Sequence, residues 1–104
     1  MNAERQRLPN RRMSENFEIV ANGLQYRVTI SRFSNGELAE IFIGNGKAGS
    51  DSDTAAKDSA VVCSIALQYG VPLDVIRHAL MRDSKDRPNG PLGAGLDVIA
   101  AEVK

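Results

Sequence analysis

A chain of 104 residues is the size of one domain, long enough to remove roughly two thirds of its unfolded surface from water without staples. Thirteen basic residues balance thirteen acidic ones, which excludes a global field steering the chain to nucleic acid or anionic lipid, and no apolar run approaches the ~18 residues of a membrane span. The single cysteine, Cys63, excludes an intramolecular disulfide framework and a thiol zinc cage built by one chain, so the expectation is a cytoplasmic protein with no metal or other cofactor.

Residues 1–15 are polar, carry Arg5, Arg7, Arg11 and Arg12, and show no periodicity, which reads as a flexible basic arm ahead of a single domain over 16–104. No apolar stretch follows these arginines, so a secretory signal is not expected. Phe17 and Ile19 then alternate with Glu18 before Asn22-Gly23, and Tyr26, Val28 and Ile30 alternate with Arg27, Thr29 and Ser31 before Asn35-Gly36. Asn-Gly is the favoured centre of a type I′ hairpin turn, because both residues there take positive φ. Two such turns predict three consecutive antiparallel strands. The third, 38–43, places Ala39, Ile41 and Ile43 on one face and Glu40 and Phe42 on the other, with the second face partly wet unless a partner covers it.

Ser50, Asp51 and Ser52 are helix-capping residues, and the negative charge of Asp51 and Asp53 suits the positive end of a helix dipole, so a helix is predicted over 52–69. On it Ala56, Ala60, Cys63 and Leu67 form an apolar stripe that Val62, Ile65, Ala66 and Tyr69 broaden. Lys57, Ser64 and Gln68 are left as a narrow polar strip, interrupted by Val61. Such a helix is either central to the domain or packed against a second copy, and a homo-oligomer is expected. Gly70 ends it and Pro72 opens a short amphipathic helix to about Arg82. Asp83–Gly90 reads as an exposed loop. A last helix over 91–103 rests on Leu92, Leu96, Ile99 and Val103, although Gly93 and Gly95 cost it roughly 1 kcal/mol each relative to alanine. The predicted architecture is α+β, a three-stranded antiparallel meander followed by three helices packed on one face.

Two segments are candidate binding sites. In the turn after the third strand, Gly44, Gly46 and Gly49 free backbone N–H groups, Lys47 adds charge and Ser50 opens the helix, a setting in which an anion or nucleotide would bind. Against this stands the structural reading of a turn and cap: Ile41 and Ala48 occupy positions where a Walker A loop needs glycine and Ser or Thr, and Asp51 and Asp53 carry charge where a phosphate would sit. The arginines of the arm, Arg5, Arg7, Arg11 and Arg12, are candidate contacts to a nucleic-acid backbone or to a protein partner, with no aromatic interleaving to read a sequence. His78 lies four residues after Asp74, the spacing of a helix-surface pair, with no nucleophile to join it. Cys63 lies among apolar neighbours, where a thiol behaves as a small hydrophobe. No catalytic residue is assigned.

The segments Glu40-Ile41-Phe42-Ile43, Gly46-Lys47-Ala48-Gly49-Ser50-Asp51, Ser64-Ile65-Ala66-Leu67-Gln68 and Gly70-Val71-Pro72 together resemble the TSCPD domain. That module occurs near the C-terminus of vitamin B12-dependent ribonucleotide reductases and as small stand-alone proteins. Arg7-Leu8-Pro9-Asn10-Arg11-Arg12 and Pro91-Leu92-Gly93-Ala94-Gly95-Leu96-Asp97 look like the stand-alone members. The large enzymes carry cysteines after the second helix, whereas this chain has Arg82-Asp83-Ser84-Lys85, so the thiol role of their tail does not carry over. A reductase also needs a large barrel with redox cysteines. The resemblance therefore implies a non-catalytic accessory or regulatory module, acting by contact with a protein such as a reductase large chain or by binding a small nucleotide. The alternative is a small nucleic-acid-associated protein using its arginine arm.

Overall fold

The computed structural model describes residues 4–10 and 12–102. Strands β1 (Ser14–Ala21), β2 (Leu24–Arg32) and β3 (Leu38–Gly44) form one antiparallel sheet in the order β1-β2-β3, followed by helices α1 (Asp51–Gln68), α2 (Leu73–Ala79) and α3 (Pro91–Glu102). This is the expected α+β arrangement. Ser14 and Glu15, read as part of the arm, belong to β1. Val103, counted in the last helix, lies outside the described residues.

The two Asn-Gly hairpins close differently. At the first, Asn22 (φ 52°) and Gly23 (φ 75°) both take left-handed conformations, as a type I′ turn requires. At the second only Gly36 does (φ 90°); Gly36 N–H donates to the Phe33 carbonyl at 2.9 Å and Phe33 N–H to the Glu37 carbonyl at 2.8 Å. That is a type I turn with a bulge, and the β2–β3 register shifts beside it, between Ser31 and Arg32.

Alternation puts Ile19, Tyr26, Val28, Ile30, Ile41 and Ile43 on the face that meets the helices, where Ala56, Ala60, Cys63, Leu67, Leu92, Leu96 and Ile99 complete the core. Each fully buried Ile, Leu or Val contributes about 1.5–3 kcal/mol. Gly95 lies where α3 crosses the sheet: a Cβ there would stand 3.6 Å from both Ile41 and Val28, at ordinary packing distance.

Helix α1 sits differently from its sequence reading. Ser64 and Gln68, expected on a polar strip, are buried, while Val61, Val62 and Ile65 are 47%, 67% and 37% exposed. The edge of β3 supplies the reason. Ser64 Oγ accepts the Ile41 N–H at 2.9 Å and donates to the Ile41 carbonyl at 3.0 Å, and Gln68 Nε2 donates to the Ala39 carbonyl at 3.1 Å. The helix thus supplies what a neighbouring strand would, and unpaired edge groups outrank the apolar moment in setting its rotation.

Gln68 also anchors the leading segment. Its side-chain oxygen accepts from Arg5 Nε, and its carbonyl accepts the Gln6 N–H at 2.7 Å. From there the chain reaches the sheet's other face, where Arg12 Nε meets Glu40 at 2.7 Å and Ser31 Oγ donates to the same carboxylate at 2.6 Å. Glu40, expected on a wet face, is therefore buried. Between α2 and α3 the loop is a small ordered hairpin, closed by the Arg82–Pro88 bridge and pinned to α3 by Arg82, whose Nη1 and Nη2 donate to Asp97 at 2.8 and 2.7 Å.

Candidate functional site

The glycine-rich turn is built around a carboxylate of its own. Asp53 Oδ1 accepts the Asn45 N–H at 2.8 Å, Oδ2 lies 2.8 Å from Lys57 Nζ, and the Gly46 amide faces the same group. Held first by the Lys57 ammonium and then by the Asn45 amide, Asp53 stays below the usual carboxylate range. Further amides of the turn and of the helix start are also engaged: Lys47 N–H bonds Asn45 Oδ1 at 2.9 Å, Ser50 N–H bonds the Lys47 carbonyl at 3.0 Å, and Asp53 N–H bonds Ser50 Oγ at 3.2 Å. Ser50 is thus the N-cap of α1. Gly44 leaves room for this carboxylate, since a Cβ there would come within 3.1 Å of Asp53 Oδ1 and 3.2 Å of Lys57 Cε, and those side chains would have to shift slightly. Gly46 (φ 78°) and Gly49 (φ 84°) make the left-handed bends.

The turn also forms one rim of a groove of about 980 Å³. Gly44, Gly46 and Lys47 line it, together with Arg27 and Phe42 from the open face of the sheet. Gly49 and Ser50 belong to the cap instead. A smaller depression of about 360 Å³ continues along the open face beneath Arg12 and shares Thr29 and Phe42 with the groove. Sequence reading placed Phe42 on this face and passed over Arg27. The available signal was an aromatic and a cation at outward positions of adjacent strands, beside a glycine-rich turn.

The other candidates are scattered. Arg5 and Arg12 are held by Gln68 and Glu40, and Arg7 is exposed. Arg11 lies outside the described residues. Asp74 pairs with Arg77 at 3.0 Å rather than with the exposed His78. Cys63 is buried, and burial pushes its thiol up to about 11, unsuited to act as a thiolate near neutral pH. Among the described residues no three His, Cys, Asp or Glu side chains cluster closely enough to hold a metal ion. Nor is any helix there long and apolar enough to cross a membrane.

Comparison with known proteins gives a consistent picture. The chain is 35% identical over 71 residues to the vitamin B12-dependent ribonucleotide reductase of Agrobacterium fabrum, and equally so to that of Bradyrhizobium diazoefficiens; each match covers 68% of this chain and 6% of the enzyme. The enzyme of the same name from Rhodopirellula baltica is 35% identical over 72 residues, covering 69% of this chain and 7% of that protein. The chain therefore corresponds to a small segment of these relatives. No solved structure matches it significantly. The family model of the TSCPD domain, however, matches residues 3–101, nearly the whole length, and the chain belongs to the TSCPD domain family.

Proposed function

We propose that this TSCPD domain is a non-catalytic accessory or regulatory module of ribonucleotide reduction, working in the cytoplasm through contact with a reductase large chain. The observation that carries this reading is the similarity to three vitamin B12-dependent ribonucleotide reductases, confined to a segment of 6–7% of each. A module of that size, whose one thiol is buried within the core, offers surfaces rather than redox chemistry. The exposed apolar strip of α1, Val61, Val62 and Ile65, is the surface fitted to a protein partner, since apolar side chains left in water are stabilised when a partner covers them.

The test is a pull-down of the tagged chain against the purified reductase large chain of the same host, with Val62→Glu as the control variant. Capture by the wild type and weakened capture by the variant support the reading. A large chain that passes through unbound at micromolar concentrations of both proteins rejects it.

A further inference from the structure

We infer that the groove between the glycine-rich turn and the open face of the sheet is a binding site for a small phosphate ester carrying an aromatic base, that is, a mononucleotide. This does not depend on association with a reductase. The groove's volume of about 980 Å³ is at the upper end of the range for small-molecule sites. Two kinds of group stand along it in a fixed order. Phe42, 48% exposed, is a large apolar ring presented on the open face of the sheet, its cross-strand partner being Thr29. Arg27, two positions back along β2, stands opposite Gly44, beside the turn that carries Lys47. Among the described residues neither Arg27 nor Lys47 makes an ion pair, in contrast to Lys57, which Asp53 holds.

Cations without a protein partner beside an exposed aromatic ring match a ligand that is anionic at one end and planar at the other. Two residues along a strand span about 7 Å, the reach from a base to its own 5′-phosphate. The carboxylates fix the direction. Glu18, which also lines the groove, stands across β1–β2 from Arg27 and accepts from Gln25 Nε2 at 2.6 Å, so it disfavours a phosphate on the β1 side. The phosphate is placed between Arg27 and Lys47, and the base over Phe42 towards Thr29. Asp53 does not compete, because its oxygens are already taken by Asn45 and Lys57.

The experiment is a titration of the full chain, labelled with 15N, with AMP, GMP, CMP and UMP, followed by amide chemical shifts. Inorganic phosphate, adenosine and an eight-nucleotide oligothymidylate serve as comparison ligands. Saturable shifts confined to Gln25–Thr29 and Phe42–Lys47 are expected. Phosphate alone and adenosine alone should each bind at least about tenfold more weakly than AMP, because each keeps only the charged or only the stacking half of the recognition. Arg27→Gln and Phe42→Leu should each weaken AMP binding about tenfold while leaving the remaining spectrum in place. If either variant loses its native spectrum, Lys47→Ala in the turn replaces it. Absence of shifts at millimolar AMP, or shifts centred on the leading arginine segment, overturns the proposal. So does phosphate binding as tight as AMP with Phe42→Leu unaffected. Oligothymidylate binding more than about tenfold tighter than any mononucleotide, with steep salt dependence, also overturns it, in favour of a single-stranded nucleic acid.

Discussion

Ser64 illustrates how one hydroxyl decides an edge. Its Oγ satisfies both the N–H and the carbonyl of Ile41, a residue with no exposed surface. Ser64→Ala deletes both bonds with almost no change of volume and leaves two strand groups unpaired in a dry place. Its cost is expected to be about 2–4 kcal/mol, read as a lower urea midpoint at unchanged slope. Ser64→Thr, which keeps the hydroxyl, should recover part of the loss. Asp97 is the comparable residue at the α2–α3 junction, where Arg82 and then Arg77 hold its carboxyl below the ordinary value of 3.8. A carboxylate whose pKa is depressed by folding contributes stability that is fully present above its unfolded value and lost as pH falls through the folded one. Asp53 and Asp83 are shifted in the same direction. Stability should therefore stay level from neutrality to about pH 5 and decline below pH 4. Asp97→Asn should lower the urea midpoint at pH 7 and flatten that acid limb. An unchanged limb would mean that Asp97 titrates alike in the folded and unfolded chains.

Among the elements, α3 carries two glycines that sequence reasoning could count only as defects. Their surroundings differ. A Cβ on Gly93 would meet the Pro88 ring at 2.9 Å, and Pro88 is fixed in the hairpin by its bridge to Arg82, so neither side can yield cheaply. A Cβ on Gly95 would meet Ile41 and Val28 at 3.6 Å, ordinary van der Waals contact. Alanine gains about 1 kcal/mol of helix propensity at either site, whereas overpacking costs about 1–3 kcal/mol. Gly95→Ala is expected to be neutral or stabilising, and Gly93→Ala destabilising by about 1–2 kcal/mol, a difference of sign that thermal unfolding of the two variants would reveal. The elements themselves were legible because their signals are local: Asn-Gly at the hairpins, Ser50 at the cap of α1, Gly70-Val71-Pro72 between helices. The rotation of α1 was not. It depends on the unpaired edge of β3, a partner distant in sequence, and Ser64 with Gln68 one turn later was its only trace. The candidate turn was legible by composition for the same local reason. That its amides fold around Asp53, and that Arg27 and Phe42 line one groove with it, follows from strand register, which composition does not encode.

For the whole molecule, the question left by that rotation is what meets Val61, Val62 and Ile65. The expected homo-oligomer is one occupant, and its strength can be bounded. A stable interface buries about 800 Å² on each partner, and a two-fold pair of copies would place this strip against itself. Three aliphatic side chains on one helix supply only part of that area, and the polar residues flanking them, Lys57 and Asp58 among them, would have to be covered or pushed to the rim. Self-association through α1 alone should therefore be weak, with a midpoint in the range of tens to hundreds of micromolar, about 5–6 kcal/mol of association free energy. Sedimentation velocity from low micromolar to millimolar chain should show a concentration-dependent shift from monomer to dimer. Val62→Glu places like charges face to face in any such pair and should hold the chain monomeric throughout. A wild type that stays monomeric to millimolar removes the homo-oligomer and leaves the strip available to a larger partner, whereas a dimer that survives Val62→Glu moves the interface to another surface, the open face of the sheet first, where Phe42 and Val20 are exposed.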